Sequence, residues 1–424
     1  MRLLVAFFGL IAAPIGLGAG SLDGSAGQIS GLGAEARSIL GADQGVYVEA
    51  GDGAVLLSQE AERPVHPASV SKIPTTLALL RKLGPAHRFI TTFSAAGRMV
   101  DGTLNGDLVV DTGGDPALVD EDALLIADRL KEAGLLRVAG DLRVRGSLTF
   151  DWQSDDSGVA LRRALSGQVS AAALASVRAY ELENPGPGVP RTASLTAQGI
   201  RFISADSGDA RTGQADQPKG VGPVARVRVI HRSQPLLSLV KSLNDYSNNI
   251  FKPLADEAGG AKAVEDLARS AVPAEWRDEI VLGDGAGTDP ANRLSPRVTV
   301  RLLRVLEEEL KASGHALYDI LPVAGVDEGT LRHRLDESEI AGRVVGKTGT
   351  FGDYGASALV GAILTVDRGT VYFAILNHGV PVPEARRRQD RFVRALLGHL
   401  HSRPWSYQRD PRPAIARAEI VAAP

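Results

Sequence analysis

Three short polar segments, far apart and in a fixed order, constrain this chain more than any other feature. Residues 69–72 read S-x-x-K, residues 247–249 read S-x-N about 170 residues later, and residues 347–349 read K-T-G. Hydroxyl, ammonium and amide groups in such a set can supply a nucleophile, a base, a proton relay and a grip for a carboxylate. None of the segments is convincing alone, so each is weighed in its own neighbourhood.

The first segment places Ser69 and Lys72 three residues apart, on one face of a predicted helix, where the ammonium reaches the hydroxyl. A lysine can act as base only if its pKa falls by about three units from about 10.4, at a cost of roughly 4 kcal/mol. Burial and a second cation, Lys347, would lower it. The helix start also offers a free amide for an oxyanion. S-x-x-K occurs by chance, however, and residues 238–241 repeat it.

The second segment predicts that Ser247 passes a proton to a leaving amine and that the Asn249 amide grips the substrate. An apolar helical run follows it, which favours this segment over the similar residues 242–244. The alternative interpretation is a Ser/Asn cluster that caps a helix.

The third segment is strand-like. The charge of Lys347 and the hydroxyls of Thr348 and Thr350 can bind a carboxylate, and Gly349 lets a ligand approach the backbone closely. The Thr350 amide would complete an oxyanion hole with that of Ser69, and one such donor contributes roughly 2.7–4 kcal/mol. The alternative is a surface strand with a polar edge.

Hydrophobic patterns around the motifs predict both strands and helices. Residues 45–57 predict a β-hairpin, and residues 343–350, 356–366 and 370–376 predict an antiparallel meander. Residues 384–400 predict a basic amphipathic helix whose charges form a solvated face. The region 86–235 combines short strands, a helix and loops, which predicts an inserted β-rich module of one or two small domains. The tail 401–424, rich in proline, is expected to be loose.

Composition narrows the function. Arg2, the apolar run 3–13 and a small-residue stretch predict a secretory signal over residues 1–20, with a buried first helix as the alternative. The apolar run is too short for a comfortable membrane span. The chain has no cysteine and a net charge of −3. We therefore expect no disulfide, no Cys-based zinc site and no nucleic-acid partner, and the histidine and carboxylate spacing predicts no metal or cofactor.

The motifs resemble those of the class C low-molecular-mass penicillin-binding proteins, the D-Ala-D-Ala carboxypeptidase/endopeptidase group called peptidase family S13. Three further segments resemble family motifs: G-G-D-P at residues 113–116, a D-G-S-G…N-x-x-S-like segment at 283–296, and an L-P-x-A-G-x-D-G-T-L-like segment at 321–331, with Glu328 inserted. The resemblance runs from residue 44 to residue 400.

This resemblance implies an α+β penicilloyl-serine transferase domain, the β-lactamase/transpeptidase-like fold, with a five-stranded antiparallel sheet and helices. Residues 21–85 and 236–400 would form it discontinuously around the insertion. Ser69 would attack the D-Ala-D-Ala carbonyl of peptidoglycan stem peptides to form an acyl-enzyme, with Lys72 as base and Ser247 as proton relay. The same chemistry on a cross-link is DD-endopeptidase activity, β-lactams would be covalent inhibitors, and export would place the protein in the periplasm.

Two departures from the family pattern concern the grip on diaminopimelate. Residues 288–290 and Phe351 stand where such relatives carry an arginine and a polar side chain. Asp115 remains the candidate partner for that ammonium, against a turn-forming Asp-Pro. A β-lactamase or esterase of the same fold, or a catalytically weak peptidoglycan-binding protein, stays open as an alternative. So do the balance of exo- and endo-cleavage and the oligomeric state.

Overall fold

The computed structural model describes residues 29–184, 195–203, 227–352, 355–412 and 414–423. The predicted signal, residues 1–20, lies outside the described residues. The α-helices, in chain order, are α1 Leu32–Leu40, α2 Lys72–Leu83, α3 Asp120–Glu132, α4 Val159–Leu165, α5 Ala171–Glu183, α6 Leu236–Tyr246, α7 Phe251–Glu257, α8 Ala261–Ser270, α9 Pro296–Ala312 and α10 Val382–His399. The strands are β1 Gly45–Ala50, β2 Val55–Gln59, β3 Ile90–Val100, β4 Thr103–Asp111, β5 Arg137–Val138, β6 Leu142–Arg145, β7 Thr149–Phe150, β8 Gln153–Ser154, β9 Ile200–Ile203, β10 Arg228–Arg232, β11 Val344–Phe351, β12 Ala356–Leu364, β13 Thr370–His378 and β14 Glu419–Ala423.

In the described part of the chain, one antiparallel sheet of five strands has the order β11-β12-β13-β1-β2. Strands β11 to β13 are buried along almost their whole length. Helices α2 and α9 pack on one face of this sheet, whereas α1 and α10 pack on the other. Because both faces are covered, β12 and β13 are nearly continuous apolar runs and do not alternate with polar residues. The predicted α+β fold, the meander and the hairpin are confirmed.

Side-chain alternation divides the two cores within a single strand. Val360 belongs to the core under α2 and α9, whereas its neighbour Leu359 belongs to the core under α1 and α10. Helix α10 covers its side of the sheet with Phe392, Val393 and Leu396, which share one helix face. The third motif lies on β11, at the edge of this sheet.

A second, mixed sheet has the order β14-β10-β3-β4-β6-β9 within the described residues, and β5 pairs with β4. Its core contains Phe93, Leu108 and Val144 from the strands and Ile126 and Leu130 from α3. Apart from β14, all of its strands come from residues 90–203 and 228–232. The division of the chain at residues 86 and 235 remains our proposal for the domain boundaries.

The tail departs from the expectation of a loose segment. Strand β14 pairs with β10, from Arg228 opposite Ala423 to Arg232 opposite Glu419. Nearer the five-stranded sheet, Tyr407 packs beside Tyr318 and donates a hydrogen bond of 2.7 Å to Asp327. The prediction was wrong because the prolines exclude helix but not extended chain, and the composition gives no sign of a distant sheet edge that accepts a strand.

The helices in the described ranges include none that is both long enough and apolar enough to cross a bilayer.

Candidate active site

The first and second motifs meet through Lys72. A short 3₁₀ turn, Ala68–Ser71, leads into α2 and leaves Ser69 one turn from Lys72. The fully buried Lys72 Nζ donates to Ser69 Oγ at 2.8 Å and to the Ala286 carbonyl at 2.6 Å. Asn249 Oδ1 accepts a longer bond of 3.4 Å from the same ammonium. The predicted nucleophile and base are therefore in direct contact.

Tight packing of the backbone holds Ser69 in place. Ala68, just before it, is buried with a φ of 50°, a conformation that costs an alanine about 1 kcal/mol or more. A Cβ on Gly287 would lie 2.0 Å from the Ala68 carbonyl oxygen, and one on Gly349 would lie 2.6 Å from the Pro67 carbonyl oxygen. Both positions therefore require glycine, which lets these two segments press against the start of α2.

His66 supports the same turn. Its Nδ1 accepts a hydrogen bond of 3.1 Å from the Ala68 amide, which leaves Nε2 as the protonated nitrogen that donates to the Asp289 carbonyl at 3.0 Å. Burial lowers the pKa of His66, which favours the neutral ring that this pattern needs. The ring stacks on Phe351, with 3.9 Å between the ring centroids. His66 thus links the nucleophile's turn to the end of β11.

The second and third motifs meet through Lys347. Ser247 follows the end of α6 with a φ of 57°, and its Oγ accepts a hydrogen bond of 2.8 Å from Lys347 Nζ. The same ammonium donates to the Thr348 carbonyl at 2.9 Å and is fully buried. The look-alike residue Lys241 instead forms an ion pair with Asp327. The structure thus brings Ser247, and not the neighbouring decoy, to the cluster.

Burial lowers the pKa of both lysines. It lowers that of Lys72 to about 7, against the opposing charge of Asp284. The pKa of Lys347 also lies well below its usual value, because the group is buried and because Lys72 carries a like charge. Two ammonium groups in one dry site therefore favour a state in which one of them is neutral at neutral pH. A neutral amine beside a serine hydroxyl is the kind of base that can activate it.

The carboxylate grip expected of Lys347, Thr348 and Thr350 stays a prediction, and the contacts of these residues bear on it. Lys347 Nζ is bonded to Ser247 and is inaccessible, so its charge does not line an open surface. Thr348 and Thr350, two residues apart on β11, point to the same side of the strand. A guanidinium from α10 reaches this place: Arg386 Nη2 donates to Thr350 Oγ1 at 2.9 Å.

Asp115 is not free to bind a substrate, and the expectation that it does so is wrong for this structure. The side chain is only 2% exposed. Its Oδ1 accepts from the Ala117 amide at 2.9 Å, whereas its Oδ2 lies 2.9 Å from His231 Nδ1 and accepts from Thr91 Oγ1 at 3.1 Å. A carboxylate that already has a charged and two neutral partners acts as a structural group, which is the turn-forming alternative.

Sequence reasoning missed three contributors. Two of them lie in the D-G-S-G-like segment: the Ala286 carbonyl accepts a hydrogen bond from Lys72, and the charge of the Asp284 carboxylate raises the pKa of Lys72. The sequence marked this segment as a family motif but did not indicate what its residues do. Arg386 was included in a solvated helix face, and no local pattern distinguishes it. Among the described residues, no group of three His, Asp or Glu side chains could hold a metal ion.

Comparisons with known proteins relate this chain to one peptidase family. The chain is 26% identical over 288 residues to a D-alanyl-D-alanine carboxypeptidase from Actinomadura sp. (strain R39), which covers 62% of this chain and 52% of that relative. The chain thus matches about half the length of this curated relative. A family model described as the D-Ala-D-Ala carboxypeptidase 3 (S13) family matches residues 27–218 and 191–397.

Two solved structures share the fold. The penicillin G-acylated Bd3459 predatory endopeptidase from Bdellovibrio bacteriovorus has a TM-score of 0.72 at 19% identity, covering 89% of this chain and 99% of that chain. Penicillin-binding protein 4 from Haemophilus influenzae has a TM-score of 0.60 at 17% identity, covering 88% of this chain and 100% of that chain. The predicted penicillin-binding-protein fold is confirmed.

Proposed function

The chain belongs to the D-Ala-D-Ala carboxypeptidase 3 (S13) family, and from this premise we propose that it is a serine-type D-Ala-D-Ala carboxypeptidase that acts through an acyl-enzyme on Ser69. One observation carries the proposal: the buried Lys72 amine, with a pKa of about 7, lies 2.8 Å from the Ser69 hydroxyl. A serine hydroxyl becomes an effective nucleophile when an adjacent base takes its proton.

In the acylation step, neutral Lys72 takes the proton of Ser69 while Oγ attacks the carbonyl carbon of the penultimate D-Ala. The amides of Ser69 and Thr350 stabilise the oxyanion. The Ser247 hydroxyl, bonded to Lys347 Nζ, then donates its proton to the nitrogen of the departing D-Ala. Ser247 recovers a proton from the protonated Lys72, so Lys72 is neutral again at the end of the step, Lys347 and Ser247 are unchanged, and the proton of Ser69 has passed to the amine of the departing D-Ala.

In the deacylation step, water attacks the Ser69 ester and a neutral lysine accepts its proton. The shortened peptide leaves as a carboxylic acid, and Ser69 regains its hydroxyl hydrogen. Asn249, whose Oδ1 already contacts Lys72, holds the peptide amide through its remaining amide hydrogens. A β-lactam follows the same first step, but its ring-opened product stays attached, which makes it a covalent inhibitor.

DD-endopeptidase activity on peptidoglycan cross-links is the second candidate. Support comes from the fold shared with the Bdellovibrio protein, which is named a predatory endopeptidase. This chain lacks the usual features for gripping a diaminopimelate side chain: Thr288 is bonded to Asp284, and Phe351 stacks on His66. Removal of a terminal D-Ala depends less on contacts in that region than cleavage of a cross-link does.

The test is mass spectrometry of purified pentapeptide monomers and cross-linked dimers after incubation with the protein. Wild type is expected to release D-Ala, whereas Ser69→Ala should lose at least about 10³-fold in turnover. Dimer cleavage by wild type alone would establish the endopeptidase reaction. If both proteins leave the muropeptides unchanged, a peptidoglycan-binding role replaces the enzyme. Rapid hydrolysis of a penicilloyl adduct on Ser69 would instead identify a β-lactamase.

We further propose that the protein is exported to the periplasm, where its peptidoglycan substrate lies. The support is the charged and apolar N-terminal pattern of residues 1–20. N-terminal sequencing of the protein recovered from a periplasmic extract tests this. A first residue near position 20 is expected, whereas an intact Met1 in a cytoplasmic fraction would contradict it.

A further inference from the structure

Arg386 lies on α10, outside the three motifs, yet its guanidinium contacts the third one. Its Nη2 donates to Thr350 Oγ1 at 2.9 Å, and the residue is exposed. A guanidinium carries five N–H donors in a planar fork, and this bond uses only one of them. The remaining donors stand beside the strand face that presents Thr348 and Thr350.

The direction of the hydrogen bond at Thr350 leaves its hydroxyl free to donate to an anion. Because Oγ1 accepts from Arg386, the hydroxyl hydrogen of Thr350 is free to donate. A hydroxyl polarised by a cation is a stronger donor, and its natural partner is a carboxylate oxygen. Thr350 and Arg386 therefore offer two donors on one side of β11.

The site needs a cation other than Lys347 for this purpose. Lys347 is fully buried, and its Nζ is bonded to Ser247 and to the Thr348 carbonyl. Its contacts direct it to the proton relay, so an incoming carboxylate would have to compete with Ser247 for it. A guanidinium also matches a carboxylate better than an ammonium does, through two parallel hydrogen bonds.

Arg386 forms no ion pair with a described residue, although the charge of Asp390 acts on it from further away. Within the described ranges, no carboxylate lies within ion-pair distance of it, whereas its neighbour Arg334 is paired with Asp390 at 2.6 Å. Partial desolvation and the charge of Arg334 lower the pKa of Arg386 from its usual value, against the opposing charge of Asp390. A cation beside a like charge, with no described carboxylate in direct contact, gains free energy when an anion arrives.

We propose that Arg386, together with Thr350, binds the free carboxylate of the residue that departs from the scissile bond. This inference rests on the proposed function and assigns Arg386 as a specificity-determining residue of the same site. The ligand chemistry is a carboxylate on the carbon next to the scissile nitrogen. A terminal D-Ala carries such a group, and so does the thiazolidine ring of a penicillin.

The experiment compares a carboxylate ligand with its neutral ester. Acylation of Ser69 by benzylpenicillin and by its methyl ester is followed by intact-protein mass spectrometry for wild type, Arg386→Gln and Arg387→Gln. A charge-assisted hydrogen bond contributes 1.5–3 kcal/mol, so Arg386→Gln should slow acylation by the acid roughly 10- to 100-fold. Acylation by the ester should change little.

Arg387→Gln is the matched control. It removes one positive charge from the same turn of α10, but Arg387 pairs with Glu384 and does not contact Thr350. It should leave both acylation rates near those of wild type. Arg386→Lys should recover part of the lost rate for the acid, because it restores the charge without the planar fork.

Two results would overturn the inference. An equal loss with acid and ester would make Arg386 a support for β11 only, and no loss with either would leave the carboxylate to other groups. If wild type forms no adduct at all, the proposed function fails separately. The inference is then decided by NMR titration of wild type and Arg386→Gln with N-acetyl-D-Ala-D-Ala and its C-terminal carboxamide, where only the acid should bind more weakly to the variant.

Discussion

At the scale of single residues, the buried amine of Lys72 sets the pH range of the reaction. The amine must be neutral to accept the serine proton, and its pKa is about 7. We therefore predict that acylation by benzylpenicillin accelerates as the pH rises through about 7 and then levels off. Intact-protein mass spectrometry over a pH series measures this. An acylation rate that is flat from acidic to alkaline pH would mean that another group accepts the proton.

The same burial of Lys72 lowers the free energy of unfolding wherever the amine would be protonated in the unfolded chain. In the unfolded chain the amine stays protonated up to about pH 10.4, whereas in the folded protein it loses its proton above about 7. Between these values the unfolded state binds more protons, so the free energy of unfolding rises with pH, and the full penalty applies below about 7. We predict that Lys72→Met has a higher Tm than wild type at about pH 6 and a smaller advantage at about pH 9.5. Thermal unfolding of both proteins tests this, and an advantage that grows with pH would contradict it.

Sequence patterns could predict which motif residues come together in the candidate site, but not the side chains that reach them from elsewhere. Ser69, Lys72 and Ser247 lie in short motifs, in which the residue types and their spacing indicate which side chains can interact. The contact between Arg386 and Thr350 joins an edge strand to a helix that begins about 30 residues later, so no spacing rule contains it. The expectation for Asp115 failed because a local Asp-Pro motif does not reveal the buried His231 that packs beside this carboxylate from a distant strand.

At the scale of elements, the site depends on how closely a loop packs against the start of α2. Gly287 has a φ of 85°, and a Cβ there would lie 2.9 Å from the Ser69 amide nitrogen. Gly287→Ala should displace Ser69 and slow acylation by about 10²-fold, the usual penalty for an ångström of misplacement. The control is Gly314→Ala, which has a similar φ of 78° but meets nothing within 4 Å. Equal acylation rates in the two folded variants would contradict this prediction.

Helix α6 is anchored by the ion pair of Lys241, a residue that belongs to the second S-x-x-K sequence of the chain. Lys241 pairs with Asp327, which is almost fully buried and also accepts bonds from the Val323 amide and Tyr407. Lys241→Met should therefore lower the free energy of unfolding by about 3 kcal/mol, because it leaves a buried charge without its partner. Urea unfolding measures the loss. The folded variant should still be acylated at Ser69 within about tenfold of wild type, and a folded but inert variant would assign Lys241 to the reaction.

The elements that sequence predicted best were those with a strong apolar signal. Strands β11 to β13 and helix α10 were found within a few residues of their observed bounds, because covered strands and amphipathic helices have distinct patterns. In the second sheet, β5 has only two residues, and β6 and β9 have four each, which is too few to establish a period. The mixed parallel and antiparallel pairing of this sheet is decided by tertiary contacts.

At the scale of the whole molecule, β14 ties the tail to the second sheet. It covers the edge of β10 through five residue pairs, from Arg228 to Arg232. A chain that ends before Glu419 should leave β10 as an exposed edge, with faster amide exchange over residues 228–232 and a lower Tm. Hydrogen exchange by mass spectrometry compares it with the full chain. Unchanged protection of β10 would mean that β14 contributes little to this sheet.

The strand orders also determine when the protein can fold during its synthesis. Strands β1 and β2 leave the ribosome early, but their sheet is closed by β13, which ends at His378. The second sheet waits for Ala423, the end of β14. Neither sheet is complete in a nascent chain until nearly the whole protein has been made, because the pairs β1–β13 and β10–β14 join strands that are distant in sequence. The β1–β2 hairpin can form early, but the edge of β1 that pairs with β13 stays open throughout elongation, a state that suits a holding chaperone better than stepwise folding on the ribosome.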